Sequence, residues 1–144
     1  MQGAVVDVAT ICAGAGSRGV PVLVDGSQAA VHMPINVQEI NCDFYAVTGH
    51  KLCGPSGSGA IYVRQDRIAE MQPFMDGRDM IGGVTRDRVV CNDAPMKSKA
   101  GTQGIVQTIG LGVALEYIIR LGMANIAAPE NRLRDYARTR LRNC

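Results

Sequence analysis

Two short stretches decide the fold: Val20-Pro21-Val22-Leu23-Val24-Asp25-Gly26 and Phe44-Tyr45-Ala46-Val47-Thr48-Gly49-His50-Lys51. Each is an apolar, β-branched run that stops at a glycine-containing turn, the pattern of a buried strand ending at a loop. A third run, Ala60-Ile61-Tyr62-Val63, follows the glycine-rich Gly54–Gly59 too closely for a helix to fit between, so it is expected to be antiparallel or to lie at an edge. With helical patterns before and after these runs, the reading is α/β: a mostly parallel sheet with flanking helices. If the first two strands are parallel neighbours, their ends lie about 4.8 Å apart, at the edge where open α/β sheets bind ligands. Asp25 and Lys51, an acid and an amine, then share one crevice.

Working outward, Val5, Val8, Ala9 and Cys12 fit a helical stripe that Gly14 and Gly16 weaken at its end. Residues 66–72 suit a short helix, and 73–103 read as irregular, with one strand near Val89-Val90-Cys91. From Ile105 to Leu121 the apolar positions, with small Gly110, Gly112 and Ala114, predict a long helix packed closely on its neighbours and ended by Gly122. The tail from Ala124 to Arg142 is amphipathic, with arginines forming a solvated face.

The 144 residues suffice for one domain, and a self-contained one would bury roughly two-thirds of its unfolded surface. A net charge of +2 without a basic block argues against nucleic acid, and no apolar run reaches the ~20 residues that span a bilayer. Charged residues are 19%, below the usual ~25%, which hints at buried faces or a missing partner. The five cysteines, Cys12, Cys42, Cys53, Cys91 and Cys144, are odd in number and irregularly spaced. They fit reduced thiols in a cytoplasm better than a disulfide scaffold or a zinc site.

Gly14-Ala15-Gly16-Ser17-Arg18-Gly19 matches the G-x-G-x-x-G dinucleotide pattern, but that motif needs a strand before it and a helix after it. Here a strand follows, so a helix end and turn is the expected reading, and a nucleotide binder is the weakest of the functional alternatives. Taken singly, Asp25 reads as a turn residue and Lys51 as a surface amine. Together with Gln28, Thr48 and His50 they supply what pyridoxal 5'-phosphate (PLP) requires: an imine-forming lysine, a carboxylate for the ring nitrogen, and donors for the phosphate.

Three segments carry a resemblance: VLVDGSQA at 22–29, DFYAVTGHKLCGPSGSGAIYV at 43–63, and AGT with IGLGVALEYI between Ala100 and Ile118. They resemble the SUF-type (group II) cysteine desulfurases of the class V aminotransferase family, PLP enzymes of fold type I, and the similarity runs from about Gly3 to the end. It implies that Lys51 is the Schiff-base lysine and later the acid/base at the α-proton, that Asp25 pairs with the pyridinium nitrogen, and that Gln28 reaches the phenolic oxygen. Thr48 and His50 would hold the phosphate, and Thr102 would touch the phosphate of a second subunit in a homodimer. His32 matches no ligand of the family and is expected to be a partnered structural histidine. The implied reaction takes L-cysteine to L-alanine and an enzyme persulfide, handed to a SUF-type acceptor for iron–sulfur cluster assembly.

The resemblance also implies that residues 1–144 are one partial domain, the central and C-terminal part of the large PLP domain, without the small domain, the ring-stacking histidine, the carboxylate-binding arginine or the sulfur-accepting cysteine. None of the five cysteines matches that nucleophile. The segment Asp76-Gly77-Arg78-Asp79-Met80-Ile81, the neighbours of Thr102 (Lys99, Gln103, Gly104) and Cys53 depart from the family pattern. Three expectations follow: a cofactor-binding chain inactive by itself and prone to associate; a non-catalytic remnant; or a sister activity such as selenocysteine lyase.

Overall fold

The computed structural model describes residues 4–75 and 77–142; Cys144 and Asp76 lie outside them. Asp7 caps the first helix, α1 (Val8–Gly16), by accepting from the Thr10 N–H at 3.1 Å and the Thr10 hydroxyl at 2.7 Å, so Val5 stays ahead of the helix. Gly14 to Gly19 are the end of α1 and the turn after it, where Ser17 and Arg18 side chains both donate to the Gly14 carbonyl. Among the described residues no strand precedes them, as the helix-and-turn reading expects.

Next come β1 (Leu23–Asp25), the one-turn helices α2 (Ala29–His32) and α3 (Val37–Ile40), and β2 (Phe44–Thr48). β3 (Gly59–Val63), α4 (Gln65–Glu70), the pair β4 (Ile81–Val84) and β5 (Val89–Cys91), and helices α5 (Ile105–Leu121) and α6 (Met123–Leu141) complete the chain. The main sheet runs β1-β2-β3. β1 and β2 are parallel, with Leu23 opposite Phe44 and Asp25 opposite Ala46. β3 is antiparallel to β2 and sits at the edge, with Phe44 opposite Val63 and Thr48 opposite Gly59.

Three sequence expectations are corrected. The first strand is shorter than 20–24 and includes Asp25, because Pro21 has no N–H to give and Val20 donates back to Ala15 at 3.0 Å. It is not buried on both faces, since Leu23 is 59% exposed. The region 73–103 contains a hairpin rather than one strand: β4 pairs antiparallel with β5 across a register shift at Gly82, and its two glycines hid it from a propensity reading.

Two small cores flank the main sheet. Cys12 of α1, Cys42 and Tyr45 form one, Leu52 with Leu111 and Ile118 of α5 the other, and Val47 of β2 packs against both. Close approach of α5 rests on Gly110, where a Cβ would lie 2.6 Å from Pro55; Gly112 faces open space and plays no such part. Gly122, at φ 79°, ends α5, and α6 leaves at 75°. Among the described residues no single helix is long and apolar enough to cross a membrane. The accessible area is 10861 Å² for 15.3 kDa, against about 7,100 Å² for a self-contained globule of that mass. Ile105, Val106, Ile109 and Val113 of α5, all exposed, account for part of the excess.

Candidate cofactor site

β1 ends at Asp25, opposite Ala46, and β2 runs two residues further to Thr48. Past Asp25 the chain turns at Gly26, whose N–H donates to the Ala46 carbonyl at 2.9 Å; a Cβ there would run into the Tyr45 ring, so the turn requires glycine. The Ser27 N–H reaches the Asp25 carboxylate at 3.0 Å. Hydrogen bonds from Ser27, side chain first and backbone second, hold this carboxyl below the usual range. Asp25 is therefore ionised at neutral pH, the state a protonated ring nitrogen needs as its partner. Gln28 starts α2 without a capping hydrogen bond and is exposed.

Past Thr48, residues Gly49–Leu52 form a 3-10 turn. It is tied to the following loop by the Gly49 N–H to Ser58 carbonyl bond, 2.8 Å, and the Gly54 N–H to Gly49 carbonyl bond, 2.9 Å. Leu52 is buried against Leu111 and Ile118, while His50 and Lys51 are exposed on the same turn. The hydroxyl of Thr48 is buried and has no hydrogen-bond partner. An orphaned buried hydroxyl costs roughly 1–3 kcal/mol and calls for an acceptor or donor from outside the chain. Cys53, also exposed, follows the turn with φ 58°.

A cleft of about 860 Å³ opens against α2 and is lined by Val5, Val24, Asp25, Gln28, His32 and Tyr45 among others. It brings Asp25 and Gln28 together; Thr48, at the end of β2, and His50 and Lys51, on the turn that packs against α2, do not line it. Thr102 stands exposed on the irregular stretch ahead of α5.

Other groupings were not read from the sequence. Asp43, 5% exposed, accepts from the Val22 N–H at 2.7 Å and pairs with Arg67 at 2.7 Å and Arg64 at 2.9 Å. The Arg67 side chain, then the Val22 amide, hold its carboxyl below the ordinary range, and Asp43 in turn pushes the Arg67 guanidinium up. These residues line a smaller cleft of about 450 Å³ at the other end of the sheet. Burial raises the Cys12 and Cys42 thiols. His32 meets Glu130 of α6, a partner 98 residues away that no local pattern could have indicated.

The fold and this sheet edge define a class, and the chain belongs to it: the aminotransferase class-V family, whose description matches residues 1–144. The chain is 45% identical over 131 residues to the probable cysteine desulfurase of Xylella fastidiosa (strain Temecula1 / ATCC 700964), covering 91% of this chain and 32% of that protein. It is similar to the crystal structure of the cysteine desulfurase CsdA from Escherichia coli, with a TM-score of 0.82 and 38% identity over 87% of this chain and 31% of that one. A C-DES variant with glycine covalently linked to its PLP cofactor matches with a TM-score of 0.63 and 32% identity, over 73% of this chain and 28% of that one. The chain thus spans about a third of the length of the relatives it matches.

Proposed function

We propose that these residues are the cofactor-holding part of a PLP-dependent cysteine desulfurase of the SUF type. One observation carries the reading: the buried, partnerless Thr48 hydroxyl, one residue ahead of the turn that presents Lys51. A phosphate oxygen is the acceptor that such a hydroxyl lacks, and the donors beside it fit that group. When bound, PLP supplies an electron sink for negative charge developing at the substrate Cα.

The chain's own residues then have distinct tasks. The Lys51 amine anchors the cofactor and afterwards moves the proton at the substrate Cα. Asp25, kept ionised by Ser27, holds a proton on the ring nitrogen. Gln28 hydrogen-bonds the phenolic oxygen, and Thr48 and His50 donate to the phosphate. Thr102 donates to the phosphate held by a second copy in a homodimer. The substrate is L-cysteine, whose sulfur passes as a persulfide to a SUF-type acceptor for iron–sulfur cluster assembly in the cytoplasm. Residues 1–144 act here as one partial domain. The Cys12 and Cys42 thiols, buried and raised, are unsuited to the sulfur-accepting role, and the resemblance gives that role to neither exposed Cys53 nor half-buried Cys91, so these residues alone are expected to bind the cofactor without turning over cysteine.

The test is the visible spectrum after adding PLP, with borohydride fixation and peptide mapping, on the chain and its Lys51→Ala variant. A pyridoxyl group on Lys51, missing in the variant, is expected. Labelling spread over surface lysines, unchanged in Lys51→Ala, would remove the cofactor reading. Sulfide release from cysteine above a PLP-only control would overturn the inactivity of these residues alone.

A further inference from the structure

α2 has no local reason to be rigid. It is a single turn, Ala29–His32, with no side-chain cap at its start, and an isolated turn of helix does not hold itself together in water. Yet it follows the Asp25–Gln28 turn directly, tied to it by the Ala30 N–H to Gly26 carbonyl bond, 2.9 Å, and it ends with the Met33 N–H on the Ala29 carbonyl, 3.0 Å. What holds α2 comes from elsewhere in the chain. Ala30 and Val31 pack into the core that includes Met123 and Ile126 of α6. At the end of α2, His32 Nδ1 meets both carboxylate oxygens of Glu130 at 3.0 Å. His32 also lines the same cleft as Asp25 and Gln28.

We infer that the His32–Glu130 pair is a brace that positions the Asp25–Gln28 turn. The inference rests on the cofactor reading above only for the consequence it has on PLP. A hydrogen bond to a carboxylate is among the stronger side-chain contacts, and this one ties the end of α2 to α6.

Other charges near the pair are committed. Arg134, one turn along α6, is bonded to Asp135 and Asn131. Around the cleft, Asp7 is bonded to Thr10, Asp25 to Ser27, and Glu39 to Asn36. His50 and Lys51 stand on the turn packed against α2 and contribute a background that any variant of the pair shares.

Both partners are nearly half exposed, 49% and 44% by side chain, which limits the effect to about two- to fivefold. The experiment is amide hydrogen exchange at Ala30 and Met33 at one fixed pH, corrected for intrinsic rates. It compares the unsubstituted chain with Glu130→Gln, His32→Gln and His32→Lys, the β2 amides serving as reference. PLP affinity from the visible band is measured in parallel. Expected is protection about two- to fivefold lower in both Gln variants than in the parent chain, and retained in His32→Lys. PLP affinity should follow the same order. Equal protection in the parent and Glu130→Gln would overturn the brace. Lost PLP binding in every chain, with the amide pattern intact, would sink the cofactor reading and leave the brace standing.

Discussion

The two ends of the main sheet treat their polar groups in opposite ways. At the amino end of β2, Asp43 is buried and saturated, bonded to the Val22 amide and to two guanidinium groups. At the carboxyl end Asp25 is exposed, Lys51 is exposed, and the Thr48 hydroxyl is buried with nothing to bond. The same types of residue, acid and base, close one end and leave the other available. A chain that can saturate a buried carboxylate within one sheet had the means to saturate the second end also. The open end is therefore the one to read as a site, and the closed end as structure.

Breaking the closed end should have the largest effect. Asp43→Asn leaves Arg64 and Arg67 without their shared carboxylate and should cost about 3 kcal/mol in urea unfolding, since removing one partner of a buried pair exceeds the pair's net worth. A loss under ~1 kcal/mol would mean that the two ends do not differ as described. Next is Gly26→Ala, whose methyl would strike the Tyr45 ring; overpacking of this kind costs about 1–3 kcal/mol.

The sharpest contrast comes from Thr48→Val, which removes the orphaned hydroxyl at nearly constant volume. Stability should rise by about 1 kcal/mol while PLP affinity falls about tenfold, opposite signs that a structural threonine would not give. Smallest is an acid effect. The Asp43 carboxyl is lowered in the folded chain, so its stabilisation is complete above the ordinary carboxylate pKa of about 4 and is lost as pH falls through the lower folded value. Acid titration of the melting temperature should thus be flatter in Asp43→Asn than in the parent below pH ~4.

What the sequence disclosed follows from how local each feature is. β2 and α5 have the boundaries their apolar patterns predict, because each pattern is long enough to show its period. The placement of Asp25, Gln28, Thr48, His50 and Lys51 at the ends of β1 and β2 was legible because it is written in nearly consecutive residues. The one-turn α2 and α3 were not, since four residues display no periodicity. Gly82 and Gly83 masked β4, and the Asp43 cluster and the His32–Glu130 pair join residues that only the folded chain brings together. The small residues of α5 mislead at Gly112, which touches nothing, and inform at Gly110.

The antiparallel pairing of β2 with β3 has a consequence in time. Phe44 to Val63 is a continuous hairpin whose loop contains His50 and Lys51, and a contact between near neighbours in the chain closes with little entropic cost. During synthesis this loop can take shape as soon as Val63 is clear of the ribosome, while the brace on the Asp25–Gln28 side must wait for Glu130 to emerge. Lys51 is thus shaped early, by its own neighbourhood, and Asp25 acquires its footing last.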